Sequence, residues 1–233
     1  MTTRTPRIPA GGNVPRRRKA RPGTGPLSAP SLGIRVKSGW AAAILLDVTR
    51  GIPEFLLRRR LLLADPEVPR SFQPFHRGFG RLQTNPAVLT RLTRIVARST
   101  AASFAGLIAD CRARGTIPRT AALVVGSTID PARITNEHIR AHAHEAQLFR
   151  SVLERAAARY EFDLKVVRVR DLPDLVRKHL GPLAPLRAAG LGKAAGRPWG
   201  ADEKLAALAA WAVAVPQAPA RRRPRTAAGP RPE

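Results

Sequence analysis

The chain has 233 residues, and 41 Lys and Arg against 16 Asp and Glu give it a formal net charge of +25 at pH 7. That balance excludes an acid-surfaced enzyme, and an apolar content of 44% exceeds what a wholly disordered chain carries, so a folded core is expected. The single Cys111 excludes an intramolecular disulfide, and the longest apolar run, Leu205 to Val215, has 11 residues against the ~20 that a membrane-spanning helix needs. With basic residues but no apolar stretch behind them at the N-terminus, the pattern predicts a cytoplasmic protein with no membrane segment.

In chain order, Gly33 to Leu46 (GIRVKSGWAAAILL) is apolar, small or β-branched and reads as one strand, followed by a turn signal at Gly51-Ile52-Pro53. Phe55 to Ala64 (FLLRRRLLLA) reads as its antiparallel hairpin partner, with Arg58 and Arg60 on one face and Arg59 on the other. Residues 65–84 hold three prolines and no regular period, and read as a long functional loop. Asn85 as N-cap with Pro86 at the first helical position predicts a helix over 86–113. Ala121 to Ile129 (AALVVGSTI) has the near-continuous apolar pattern of a strand buried on both faces of a parallel sheet. A second helix is predicted from Asn136 to Tyr160, a strand over Leu164 to Val169, a short helix from Asp171 to Gly181, a Gly/Pro/Ala-rich segment over 182–198 and a last helix from Asp202 to Val215. Strands alternating with helices in this order predict an α/β sandwich on a mixed sheet.

The charge is spread unevenly. Residues 1–30 carry seven basic residues and no acid, and 216–233 carry five Arg and one Glu, both among Pro, Gly and Ala. Both ends read as disordered basic tails around one domain at 31–215, which itself keeps a balance of +14. A basic domain of this size favours an anionic polymer partner, since counterion release from phosphates supplies most non-specific nucleic-acid affinity. The competing account is compositional: Arg outnumbers Lys 35 to 6, as a GC-rich coding sequence would also produce.

The opening segment SLGIRVKSGWA, Ser31 to Ala41, resembles the first strand of the ribonuclease H-like superfamily, and within it the RuvC-type Holliday junction resolvase branch, where a Gly-Ile-Asp-Pro-Gly opening is followed by a Gly-aromatic pair. Ala146 to Ala158, Leu164 to Val169 and Asp171 to Gly181 are similar to later elements of that branch, so the resemblance spans 32–180. It implies a ribonuclease H-like mixed sheet with helices on both faces. It also implies a nuclease site in which carboxylates on the first strand, near the end of the fourth strand and on the last helix clamp two divalent ions, Mg²⁺ or Mn²⁺. This chain departs from that pattern. Arg35 stands where the first carboxylate would be, Gly126-Ser127 where the second is expected with Asp130 the nearest acid, and Asp202-Glu203 matches the terminal pair only after a shift. The resemblance thus implies a nucleic-acid-binding protein without two-metal cleavage.

Three constellations carry chemistry. His138, His142 and Glu145 lie at i, i+4 and i+7, on one face of the second predicted helix, as a metal chelate requires. The alternative is a structural cluster at a buried helix start. Arg70, Phe72, Phe75, His76, Arg77, Phe79 and Arg81 interleave rings with guanidiniums, a pattern suited to stacking bases while meeting phosphates. Its alternative is a loop anchored to the domain by its Phe rings. Arg16 to Lys19 and Arg221 to Arg223 suit phosphate backbones or simply solubilise the tails. Gly190, Gly192 and Gly196 lack the spacing of a phosphate loop, and Ser38, Ser127 and Ser151 have no nucleophile-elbow context.

The expectation from sequence is therefore a nucleic-acid-binding protein, needing no cofactor, that uses Arg58, Arg60, Arg70, Phe72, Phe75, Arg77, Phe79 and Arg81. Two rivals stand beside it. One is a metal-dependent nuclease or resolvase with Asp130, Glu145 and Asp202 as a rearranged catalytic set, supported by Glu137, His138 and His142 and using Mg²⁺ or Mn²⁺. The other is a non-enzymatic protein that binds a protein partner.

Overall fold

In the computed structural model the described residues are 30–49, 51–78 and 80–215. The tails expected at 1–30 and 216–233 lie, except for Pro30, outside them, as does Phe79. The run expected as one strand is two. β1 (Ser31–Lys37) turns at Ser38-Gly39 into β2 (Trp40–Asp47), and the two pair antiparallel. Gly39 adopts φ 77° at this turn and lies so close to the Phe72 ring that a Cβ there would sit 2.2 Å from it, so only glycine fits. β2 pairs antiparallel with β3 (Glu54–Leu62), the predicted hairpin.

The segment 65–84 is more ordered than expected. A short 3₁₀ turn over Pro69–Phe72 leads into a two-stranded ribbon of β4 (His76–Arg77) and β5 (Arg81–Leu82). α1 (Pro86–Ala113) starts where the capping signal placed it: the Asn85 side chain accepts from the Ala87 and Val88 amides at 3.0 and 3.2 Å. β6 (Thr120–Val125) is short and wholly apolar beyond its first residue because it is flanked on both sides, pairing parallel with β1 and with β7 (Asp163–Arg168). Between them runs α2 (Glu137–Ala158), capped by Asn136. α3 (Leu172–Leu180) follows, then two short helices in the segment left without elements from sequence, α4 (Ala184–Gly190) and α5 (Gly192–Ala195), and finally α6 (Ala201–Ala214).

The sheet order is β3-β2-β1-β6-β7. One face, with Leu32, Ile34, Leu45, Leu61 and Leu123, packs on Phe104 and Leu107 of α1 and on Phe149 and Leu153 of α2. The other face, with Ile44, Leu46, Ala122 and Val124, packs on α6 and α3. The approach of α6 is unusually close because both sides are small: the helix presents Ala206, Ala209 and Ala210, and a Cβ added to Gly33 of β1 would lie 1.9 Å from the Ala206 carbonyl oxygen. That proximity sets the position of the first turn of α6 over the end of β1.

Candidate functional site

Because β1, β6 and β7 are parallel and Arg35, Val124 and Val167 are level across them, their carboxyl ends finish at one edge of the sheet. In open α/β sheets that edge is where ligands bind. A cavity there is lined by Arg35, Lys37, Ser38, Gly126, His142 and Phe149, and a second by Gly126, Ser127, Asp130, Arg133, Arg168 and Arg170.

Arg35 shares the α6-facing side of the sheet. Its guanidinium donates to the Val36 and Val124 carbonyls at 2.9 and 3.3 Å, and its Nε lies 3.3 Å from Asp202 Oδ1. The Lys37 ammonium is 3.8 Å from the same oxygen. Asp202 is free to point there because the neighbouring Glu203 caps the helix instead, accepting from the Gly200 amide at 2.9 Å. One carboxylate between Arg35 and Lys37 is not the set of oxygen ligands that a two-metal clamp requires.

The three acids of the rearranged-nuclease set are placed apart, and among the described residues they form no common ligand cluster. Asp202 faces Arg35. Asp130 is exposed and caps the short 3₁₀ helix at Pro131–Arg133 through the Ala132 amide at 3.0 Å. Glu145 is 1% exposed, on the opposite face of the sheet under α2.

Around Glu145 the fold gathers something that spacing along the chain does not disclose. The β4–β5 ribbon lies on α2 and delivers His76, whose Nδ1–H donates to Glu145 Oε1 at 2.7 Å. The nitrogen donates while Glu145 is ionised, since a carboxylate only accepts. His142 Nδ1 is 3.6 Å from the other oxygen, Oε2, which is buried and has no hydrogen bond. His76 packs against His138 and His142 with ring centroids 5.2 and 4.4 Å away, and His138 and His142 are 4.6 Å apart. One nitrogen from each of the three rings lies within 4.8 Å of the others. The predicted pair His138 and His142 is thus on one face as expected, while the third member of the ring cluster is His76 and Glu145 sits behind it. Burial pushes the Glu145 carboxyl pKa up, against the opposing hydrogen bond and charge of His76. Burial, with the neighbouring His76 and His138, pushes that of His142 down.

The loop residues divide. Arg70, Arg77 and Arg81 are exposed. Phe72 is packed on Gly39, and Phe75 is stacked on His144 at 4.8 Å, so both rings anchor the loop and are only partly accessible. On β3 the predicted facing holds: Arg59 turns toward α1 and pairs with Asp110, while Arg60 lies over the Trp40 ring at 4.0 Å. Arg58, expected to meet nucleic acid, is tied internally, donating to the carbonyls of Gly196, Arg197 and Pro198.

No family model matches the chain, and no curated protein does. Among solved structures it is similar to Thermus thermophilus RuvC in complex with a Holliday junction substrate, at 12% identity and a TM-score of 0.49 over 79% of this chain and 91% of that one. It is also similar to the yeast mitochondrial Holliday junction resolvase Ydc2, at 10% and 0.41 over 80% and 77%. A third similarity is to an Aquifex aeolicus Ppx/GppA family member, at 14% and 0.35 over 66% and 41%. The mixed five-strand sheet with helices on both faces is an α/β sandwich of the kind the strand and helix order predicts.

Proposed function

We propose that this protein binds nucleic acid on a ribonuclease H-like scaffold and does not carry out two-metal phosphodiester cleavage. The observation that carries this is the Arg35–Asp202–Lys37 cluster at the end of β1, in which two cations bracket a single carboxylate. The same edge continues into Arg133, Arg168 and Arg170, and around the loop into Arg70, Arg77 and Arg81, a surface that meets phosphates without reading bases. Arg60 extends it along β3.

The full chain is expected to bind single-stranded and branched DNA with an affinity that falls steeply with salt, log K declining for each tenfold rise by about 0.7 per neutralised phosphate on single strands and about 0.9 on duplex arms. The double change Lys37→Glu and Arg170→Glu should weaken binding and flatten that slope by about one unit for each phosphate no longer neutralised. Filter binding at several salt concentrations reads both, and salt-insensitive or undetectable binding at low salt overturns the proposal. Mg²⁺-dependent cleavage of branched DNA by the wild type, abolished by Asp130→Asn or Asp202→Asn, would establish the rearranged nuclease instead.

Arg35→Asp provides a second check. It removes a guanidinium that is hydrogen-bonded to two carbonyls and sets two carboxylates facing each other, a loss of about 2–3 kcal/mol in the absence of metal. Millimolar Mg²⁺ should then raise the melting temperature of the variant and leave the wild type unmoved. Equal responses from both proteins would show that Arg35 is not what keeps divalent ions out.

A further inference from the structure

The ring cluster lies on the α2 side of the sheet, opposite the α6 side that carries Asp202. Asn136 fixes the start of α2, so His138 and His142 fall one turn apart on the same face. The third imidazole arrives from β4. With Nδ1 held by Glu145, the neutral ring of His76 turns its lone pair out at Nε2, and that atom is buried without a hydrogen-bond partner. A buried lone pair left unmatched in this way is unfavourable, and a ligand directed at Nε2 satisfies it. A carboxylate behind an imidazole is also the arrangement that fixes the tautomer and raises the basicity of a metal-bound histidine.

We propose that His76, His138 and His142 bind one divalent transition-metal ion of the Zn²⁺ class, with Glu145 as the positioning carboxylate and a fourth coordination position open to solvent. Zn–N bonds of about 2.0–2.1 Å place tetrahedral ligand nitrogens about 3.3 Å apart. The observed limit of 4.8 Å is closed by side-chain rotation of His138 and His142, both exposed on the helix surface, while His76 stays in place on Glu145. Imidazole donors select Zn²⁺, Co²⁺, Ni²⁺ or Cu²⁺ over Mg²⁺ and Ca²⁺, so the site is separate in kind from an oxygen-ligated nuclease centre. The open position faces a cavity of about 660 Å³ that the rings share with Pro69, Arg70, Gln73, Gly78 and Gly80. Among the described residues Arg70 is the only other charged one lining it, so a small anion such as inorganic phosphate, or water, is the fourth ligand the cavity suits.

The test uses the full chain produced without a histidine tag, stripped with chelator and titrated with Co²⁺. The expected result is one Co²⁺ per chain with the intense visible bands of a four-coordinate ion, bands that excess Mg²⁺ leaves in place and inorganic phosphate shifts. His138→Ala and His142→Ala, changes at exposed positions of α2 that keep its far-UV circular dichroism, should each abolish stoichiometric binding. His179→Ala, on α3, should leave it unchanged. Glu145→Gln should weaken binding by about 10–100-fold while the stoichiometry stays at one. The proposal is overturned if the wild type takes up no stoichiometric Co²⁺ or Zn²⁺, if uptake survives in the His138→Ala, His142→Ala double variant, or if Mg²⁺ displaces it. Bands that ignore phosphate would overturn the open position.

Discussion

His76→Ala, measured in chelator, is expected to lower the unfolding free energy at neutral pH by about 1–3 kcal/mol, because it takes the side-chain hydrogen bond from a buried carboxylate. The carboxylate left behind is that of Glu145, 1% exposed, whose second oxygen already has no hydrogen bond. The pH dependence follows from the direction of its pKa. Burial raises it, so in the wild type the folded state holds the carboxyl proton more tightly than the unfolded state does. The associated stability is present below the ordinary carboxylate range and is lost as pH rises through the folded value. Without His76 its hydrogen bond no longer opposes burial, the folded pKa climbs further, and the loss extends to higher pH. The gap between variant and wild type should thus be small in acid, where both carry a protonated Glu145, and widen toward neutrality. Denaturant unfolding across that range checks it, and a gap that stays constant with pH would show that Glu145 is not the residue responsible.

Gly33→Ala is expected to cost about 3 kcal/mol, at the upper end of what overpacking a tight interface does. The added methyl would meet the Ala206 backbone carbonyl at 1.9 Å, and backbone on both sides leaves no flexible end to move away. To relieve it α6 must shift off β1, which carries Asp202 away from Arg35 and Lys37. The same substitution at Gly126, where nothing lies within 4 Å of the new atom, should change stability little. Comparing the two denaturation midpoints tests the claim: near-equal values would mean that the β1–α6 packing yields more readily than its geometry indicates.

How much of this was legible in the sequence depended on the range of the forces involved. Asn85-Pro86 and Asn136 place the starts of α1 and α2 through side-chain-to-backbone bonds spanning two or three residues, so the residues alone locate them. The apolar run read as a strand over Ala121 to Ile129 announces a two-sided buried strand for a similar reason, since burial on both faces shows in every residue, but the strand ends at Val125, where the exposed Gly126-Ser127 leaves the sheet. The turn that splits Gly33 to Leu46 was missed although a signal existed. Fourteen residues exceed the usual strand length, and Ser38-Gly39 is the small polar break within them. The ribbon in 65–84 left no periodicity to find, because two-residue strands are too short to show one.

The sequence by itself determined the basic balance, the alternation of strands and helices, the cation at position 35, and the placing of His138 and His142 on one face of a helix. Only the tertiary structure decided that Asp202 answers Arg35, that Arg58 is tied to the carbonyls after α5, and that His76 joins the other two rings with Glu145 behind it. The reason is physical. His76 and Glu145 are 69 residues apart, and nothing in local hydrogen bonding or hydrophobic period brings them together. They meet because Phe75, stacked on His144, and the β4–β5 ribbon dock that segment onto α2, and docking is a property of packed surfaces, which no single stretch of chain records.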